Sequence, residues 1–212
     1  MQNEYKIAVI GGTGKSGRFL VKHLLNEGIS IRMLIRSSSS SQEPNPLIEF
    51  VSGDARDPET VLRLVEGSDA VISTLGQPKD QPPIFSDATA NVIRAMDILK
   101  IRRYILITGL NVDTPFDKKS ESSASATKWM KANYPKTTAD KQREWEMLTS
   151  SDLDWTLVRL PLIDLTEQES EIKISLEDCP GEKISASSLA RFLVSQLEDI
   201  SYLKQSPFIA NR

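Results

Sequence analysis

The chain has 212 residues, 39% of them hydrophobic and 26% charged, which is enough to bury one core and far from the composition of a disordered chain. A net charge of only −3 gives no basic excess to neutralise nucleic-acid phosphates, so no nucleic-acid partner is expected. No apolar run approaches the roughly 18 residues of a membrane span, and no basic leader precedes the first apolar stretch, so a cytoplasmic protein with no membrane partner is expected.

In chain order, strand-length apolar runs occur at Ile7–Ile10, Ile29–Ile35, Leu47–Val51, Ala70–Leu75, Tyr104–Thr108 and Trp155–Leu160. Several are β-branched and unbroken by charge, the mark of strands buried on both faces. Helical stretches fall between them. Phe19–Asn26 ends at Gly28, and Asp57 followed by Pro58 reads as an N-cap and first helical position before Gly67. Further helices are predicted over Asp87–Lys100, Thr138–Ser150 and Ser187–Glu198, the last with Leu189, Phe192, Leu193 and Leu197 on one face. The alternation predicts an α/β fold of the doubly wound kind, a parallel sheet flanked by helices, with residues 1–212 as one domain and a small C-terminal substrate portion.

Two segments interrupt this pattern and read as loops: the serine run Ser37–Ser41 with Pro44 and Pro46 after it, and the Ser- and Lys-rich stretch Asn111–Lys136. Because the second follows the fifth strand, where an open α/β sheet has its ligand crevice, a partly helical lid such as Ala124–Ala132 competes there with a disordered loop. His23, the lone histidine, reads as a solvent-side helix residue, and the lone Cys179 as an inert thiol; neither has metal-ligand company, so no metal is expected.

The motif that carries chemistry is Gly11-Gly12-Thr13-Gly14-Lys15-Ser16-Gly17, which follows the first strand and opens the first helix. Gly11 permits the sharp turn, Gly14 lets backbone approach a pyrophosphate, and Gly17 lets helix and sheet pack closely, with the helix N-terminal amides facing the phosphates. Thr13, Lys15 and Ser16 belong to the same cradle. A triphosphate P-loop is excluded, because the glycine it needs five positions before Gly14 is Val9. Nineteen residues beyond Gly17, where NAD-binding chains offer a carboxylate to the ribose, stands Arg36, followed by Ser37. A guanidinium with a neighbouring hydroxyl suits a 2′-phosphate, so NADP(H) is favoured and NAD(H) stays open.

Together with Gly53-Asp54-Ala55-Arg56-Asp57, Ser68–Gly76 and Asp154–Arg159, these residues resemble the atypical short-chain dehydrogenase/reductases over nearly the whole chain. The branch that looks nearest holds biliverdin reductase B-like flavin reductases and NmrA-like NAD(P)-binding proteins. The resemblance implies that Asp54 accepts from the adenine amino group, that Ala55 lines its pocket, that Leu75 and Gly76 border the adenosine ribose, and that Thr108 and Pro161 lie near the nicotinamide. Lys141 matches the lysine of the family's Tyr-x-x-x-Lys pair and is the candidate catalytic residue. The tyrosine is replaced by Thr137 and the serine after the fifth strand by Gly109. Without these donors a simple alcohol dehydrogenase is not expected. Two readings stay open: an NADPH-dependent reductase of a small planar acceptor such as flavin or quinone, and a non-catalytic NADP(H) sensor acting through a redox-dependent protein partner. The oligomeric expectation is a monomer.

Overall fold

The structure, a computed structural model, describes residues 5–36, 45–78 and 80–212. The serine run Ser37–Ser41 therefore lies outside the described residues. Ten strands and six helices follow one another as β1 (Lys6–Ile10), α1 (Gly17–Asn26), β2 (Ser30–Ile35), β3 (Ile48–Ser52), α2 (Pro58–Val65), β4 (Ala70–Ser73), α3 (Phe85–Leu99) and β5 (Arg103–Gly109). Then come α4 (Glu121–Asn133), α5 (Pro135–Thr149), β6 (Asp154–Leu160), β7 (Leu162–Asp164), β8 (Ile172–Ser175), β9 (Lys183–Ser185), α6 (Ala186–Ser195) and β10 (Phe208–Asn211).

Eight strands form one sheet in the order β3-β2-β1-β4-β5-β6-β10-β8, parallel throughout except for the antiparallel edge pair of β10 and β8. The order reverses between β1 and β4, which opens a crevice at their carboxyl ends. A short parallel pair, β7 with β9, stands apart from the main sheet.

Alternation along the strands builds a core on each face. Ile7 and Val9 of β1 pack with Phe19, Leu20 and Leu24 of α1 and Leu189 and Leu193 of α6. Ala8 and Ile10 pack on the other side with Val61 and Leu64 of α2, Val92 and Met96 of α3, and Leu148 of α5. Each fully buried Ile or Leu here contributes roughly 1.5–3 kcal/mol.

Helix α2 starts as its sequence predicts, with Asp57 accepting from the backbone N–H groups of Glu59 and Thr60 at 3.3 and 3.2 Å and Pro58 in the first turn. Helix α3 starts two residues earlier than the pattern suggests. Its cap comes from another helix: Asp140 of α5 accepts from the Phe85 and Ser86 N–H groups at 2.8 and 3.3 Å and from Ser86 Oγ at 2.5 Å. Within Asn111–Lys136 the partly helical alternative fits better than the loop reading, because α4 occupies Glu121–Asn133, half of the stretch. Ser120 starts the helix by accepting from the Ser123 N–H at 3.4 Å.

Candidate functional site

The glycine turn after β1 is fixed by contacts that leave no room for a side chain. Gly11 has φ +82°, and a β-carbon there would lie 2.7 Å from the Thr74 carbonyl at the end of β4. A β-carbon on Gly17 would lie 2.0 Å from Gly11 O and 2.8 Å from Thr74 Oγ1, so α1 starts directly against the turn and the neighbouring strand. Gly12 is closed by the Met33 side chain at 2.4 Å. Gly14 and Gly76 are different: the first would meet only Gly11 O at 3.0 Å and the second nothing within 4 Å. Both glycines are exposed.

Helix α1 presents its N-terminus to the same side. Ser16 makes no side-chain cap there, the first turn has no acidic residue, and Thr13, Gly14 and Lys15 are exposed. A helix start with free positive dipole and no competing carboxylate suits a phosphate. Arg36 follows β2 immediately and is exposed; Ser37 lies outside the described residues. Past β3, Ala55 is buried and its carbonyl accepts from Asn91 Nδ2 at 2.9 Å. Asp54 Oδ1 accepts from the Arg56 N–H at 2.8 Å, the local turn that its sequence context favours, while Oδ2 stands 3.8 Å from the Arg56 guanidinium. Leu75 and Gly76 follow β4. All these residues therefore gather at the carboxyl ends of β1 to β4.

A second group of residues surrounds a cavity of about 810 Å3 past the ends of β5 and β6. Gly109, Leu110 and Asn111 form one wall, Ser120, Ser123, Ala126, Trp129 and Met130 of α4 and its N-cap region another, and Leu160, Pro161 and Leu162 a third. Residues 179–182, carried over by the β7–β9 pair, complete it. Thr108 lies just inside β5, is 2% exposed, and its hydroxyl has no partner among the described residues. The sequence places the ligand crevice after β5, and the resemblance puts Pro161 near it; nothing in the sequence points to residues 179–182, which only their return through the three-residue strand β9 places there.

The wall after β5 is anchored by charge. Arg159 of β6, 1% exposed, donates to the Asp117 carboxylate at 2.6 Å and to the carbonyls of Ser206, Val112 and Leu176, with its guanidinium 3.5 Å from the Phe208 ring centroid. Lys119 donates to Leu110 O at 2.8 Å and to Asp113 at 2.5 Å. Gln142 of α5 both accepts from the Asp113 N–H and donates to its carbonyl.

With this geometry in place, similarity to known proteins becomes informative. A family profile described as NAD(P)H-binding matches residues 11–200. The chain belongs to this NAD(P)H-binding family. Its sequence is 33% identical over 86 residues to eugenol synthase 1 of Petunia hybrida, a match covering 36% of this chain and 28% of that protein. It is 23% identical over 154 residues to an NAD(P)H azoreductase of Xenophilus azovorans, covering 72% of this chain and 46% of the relative. The chain thus spans less than half the length of these curated relatives. Solved structures share the fold over nearly all of both chains. A short-chain dehydrogenase/reductase of Veillonella parvula in complex with NADP superposes with a TM-score of 0.81 at 15% identity, covering 98% of this chain and 94% of that one. An anaerobilin reductase of Escherichia coli gives 0.80 at 18%, covering 97% of each. A candidate NADH-flavin reductase of Streptococcus pneumoniae gives 0.75 at 20%, covering 98% and 100%.

The residues that the sequence sets against the reductase pattern fall in two places. Gly109 and Pro161 line the cavity, whereas Thr137 and Lys141 lie one turn apart on α5. Lys141 is half-buried with its ammonium 4.6 Å from the Phe85 ring centroid, and burial pushes its pKa down while Glu144 pulls it up. Glu144 itself is buried, accepts from Thr89 Oγ1 at 2.8 Å, and is pushed by burial up to about 7. Tyr104 Oη stands 3.2 Å from the same threonine hydroxyl. His23 is half-buried in the last turn of α1, and Cys179 lies in the cavity wall with Sγ 3.2 Å from Gly181 O. Among the described residues no His, Cys, Asp and Glu cluster could hold a metal, and no helix is long and apolar enough to cross a membrane.

Proposed function

We propose that this NAD(P)H-binding protein is an NADPH-dependent reductase of a planar acceptor such as a flavin or quinone, acting as one domain. The observation that carries the proposal is the cavity of about 810 Å3 at the ends of β5 and β6, walled by Trp129, Met130, Leu160 and Pro161 and continuous in the sheet order with the glycine turn. Such a mainly apolar recess with few polar groups suits a flat conjugated ring system. The names of similar proteins, an NADH-flavin reductase, an azoreductase and an anaerobilin reductase among them, support the same class of acceptor.

In this reading Gly11, Thr13, Gly14, Lys15, Ser16 and Gly17 hold the pyrophosphate, Arg36 and Ser37 the 2′-phosphate, Asp54 and Ala55 the adenine, and Leu75 and Gly76 the adenosine ribose. The dinucleotide, when bound, supplies a hydride. Thr108 and Pro161 position the ring that carries it, and Trp129 and Met130 keep water from the acceptor's face. Lys141 holds ribose hydroxyls near Phe85. In this reading the proton that accompanies the hydride comes from water or from the acceptor itself. A second reading, a redox sensor that binds NADP(H) and changes its affinity for a protein partner, draws on the same missing donors at Thr137 and Gly109.

Titration with NADPH and NADH by fluorescence, followed by addition of FMN or menadione while reduced cofactor is monitored, tests both. Tight NADPH binding with consumption is expected. Arg36→Ala should weaken NADPH roughly tenfold or more, since a charge-assisted pair is lost, and leave NADH unchanged. Binding without consumption by any acceptor would sink the reductase reading in favour of the sensor. Equal affinity for the two cofactors would remove the role of Arg36.

A further inference from the structure

The wall after β5 contains a polar group that the protein itself leaves unused. Position 109 is glycine, and a β-carbon there would lie 2.4 Å from Asn111 Oδ1 and 3.6 Å from its Cγ. The Asn111 carboxamide thus fills the space that a side chain at 109 would need. Asn111 is only 2% exposed yet lines the cavity, and its Nδ2, itself buried, has no hydrogen-bond partner among the described residues. Buried primary amides are nearly always paired, so an orphaned one at a cavity wall points to a missing acceptor. The adjoining Thr108 hydroxyl is orphaned in the same way.

The surroundings of Asn111 are rigid. Leu110 N–H donates to Leu160 O at 3.1 Å, Leu110 O accepts from Lys119, Val112 O accepts from Arg159, and both backbone groups of Asp113 are held by Gln142. The carboxamide is therefore carried on a fixed backbone, and a half-turn about its terminal bond exchanges oxygen and nitrogen over Gly109. Turned in this way, the amide offers its N–H at the cavity wall to an acceptor atom on a ring otherwise bound by its faces.

Resting on the reductase reading, we infer that Asn111 is the residue that selects acceptors bearing a ring carbonyl, by donating a hydrogen bond to that oxygen. The class is quinones, flavin-type imides and lactams; planar rings without a carbonyl lack the contact. A site built to hydrogen-bond a ligand group discriminates strongly against an analogue that lacks it, because the buried donor is then left unpaired.

Equilibrium dialysis with the NADP+-loaded protein isolates this binding from turnover. The ligands are menadione and methylnaphthalene, the same fused rings without the carbonyls. The wild-type protein should favour menadione, and Asn111→Leu should lose about tenfold in menadione affinity while holding the hydrocarbon unchanged. Gly109→Ala, which leaves Asn111 in the chain but pushes its carboxamide aside, should show the same selective loss and covers the case in which Asn111→Leu fails to fold. Equal loss for both ligands, or none for menadione, overturns the role of Asn111 and leaves the acceptor site standing. Wild-type protein that binds neither ligand overturns the acceptor reading and the inference with it.

Discussion

The glycine turn after β1 and the wall after β5 sit at the same edge of one sheet but are held in opposite ways. At the turn, backbone lies on backbone, and the would-be β-carbon of Gly17 has Gly11 O at 2.0 Å. At the wall, long side chains reach across: Arg159 meets Asp117, 42 residues away, and Gln142 meets Asp113, 29 residues away. The first arrangement is written in seven consecutive residues. The second depends on partners that only the folded topology brings together.

The largest expected effect comes from breaking the charge side of this comparison. Asp117 has a side chain 10% exposed, and its carboxylate faces an Arg159 that is 1% exposed. Asp117→Ala would leave that guanidinium buried against carbonyls alone, and removing one partner of a buried pair costs about 3–5 kcal/mol. Denaturant unfolding measures the loss, and the double variant Asp117→Ala/Arg159→Met should recover most of it. A loss under about 1 kcal/mol would mean that the three carbonyls and the Phe208 ring satisfy Arg159 by themselves.

This contrast also explains what the sequence discloses. The strands β1, β2, β4, β5 and β6 declare themselves as apolar runs because they are largely buried on both faces, the edge strand β3 shows itself through Ile48, Phe50 and Val51, and α2 carries its own Asp57-Pro58 start. The start of α3 does not, since its cap is Asp140, more than fifty residues away. Its end is equally silent: Lys100 takes the left-handed conformation (φ 60°) without a glycine to announce it. Helix α4 buries only Ser123 and Thr127, so its polar sequence has no apolar stripe to reveal it. Strand β10 is buried at Phe208, Ile209 and Ala210 but is four residues long, too short to separate from a loop. At the candidate site the glycine turn, Arg36 and Pro161 were legible from spacing or resemblance. Asn111 was not, because nothing in Gly109-Leu110-Asn111 states that the amide folds back over the glycine.

An intermediate effect breaks the backbone side. Gly17→Ala must displace the Gly11 carbonyl or the start of α1, an overpacking that costs about 1–3 kcal/mol and spoils the cradle. The melting temperature should fall and NADPH binding should be lost together. Gly76→Ala is the control for stability, since a β-carbon there meets nothing within 4 Å. Unchanged NADPH affinity in Gly17→Ala would show that the turn is not where the dinucleotide is held.

The smallest effect sharpens the comparison within the wall itself. Lys118 lies beside Asp117 in sequence and pairs with Glu177 at 2.7 Å, so it ties the loop directly to the stretch after β8, which Asp117 reaches only through Arg159 and its bond to Leu176 O. Their side chains differ in exposure: Lys118 is 73% exposed and Glu177 55%, where solvent and salt screen the pair and ordering two flexible side chains offsets the gain. The backbone bond from Lys118 N to Glu177 O, 2.8 Å long, survives truncation of the side chain. Lys118→Ala should therefore cost no more than about 0.5 kcal/mol by the same unfolding measurement. A cost approaching that of Asp117→Ala would mean that the wall is secured at its surface rather than by the burial of Arg159.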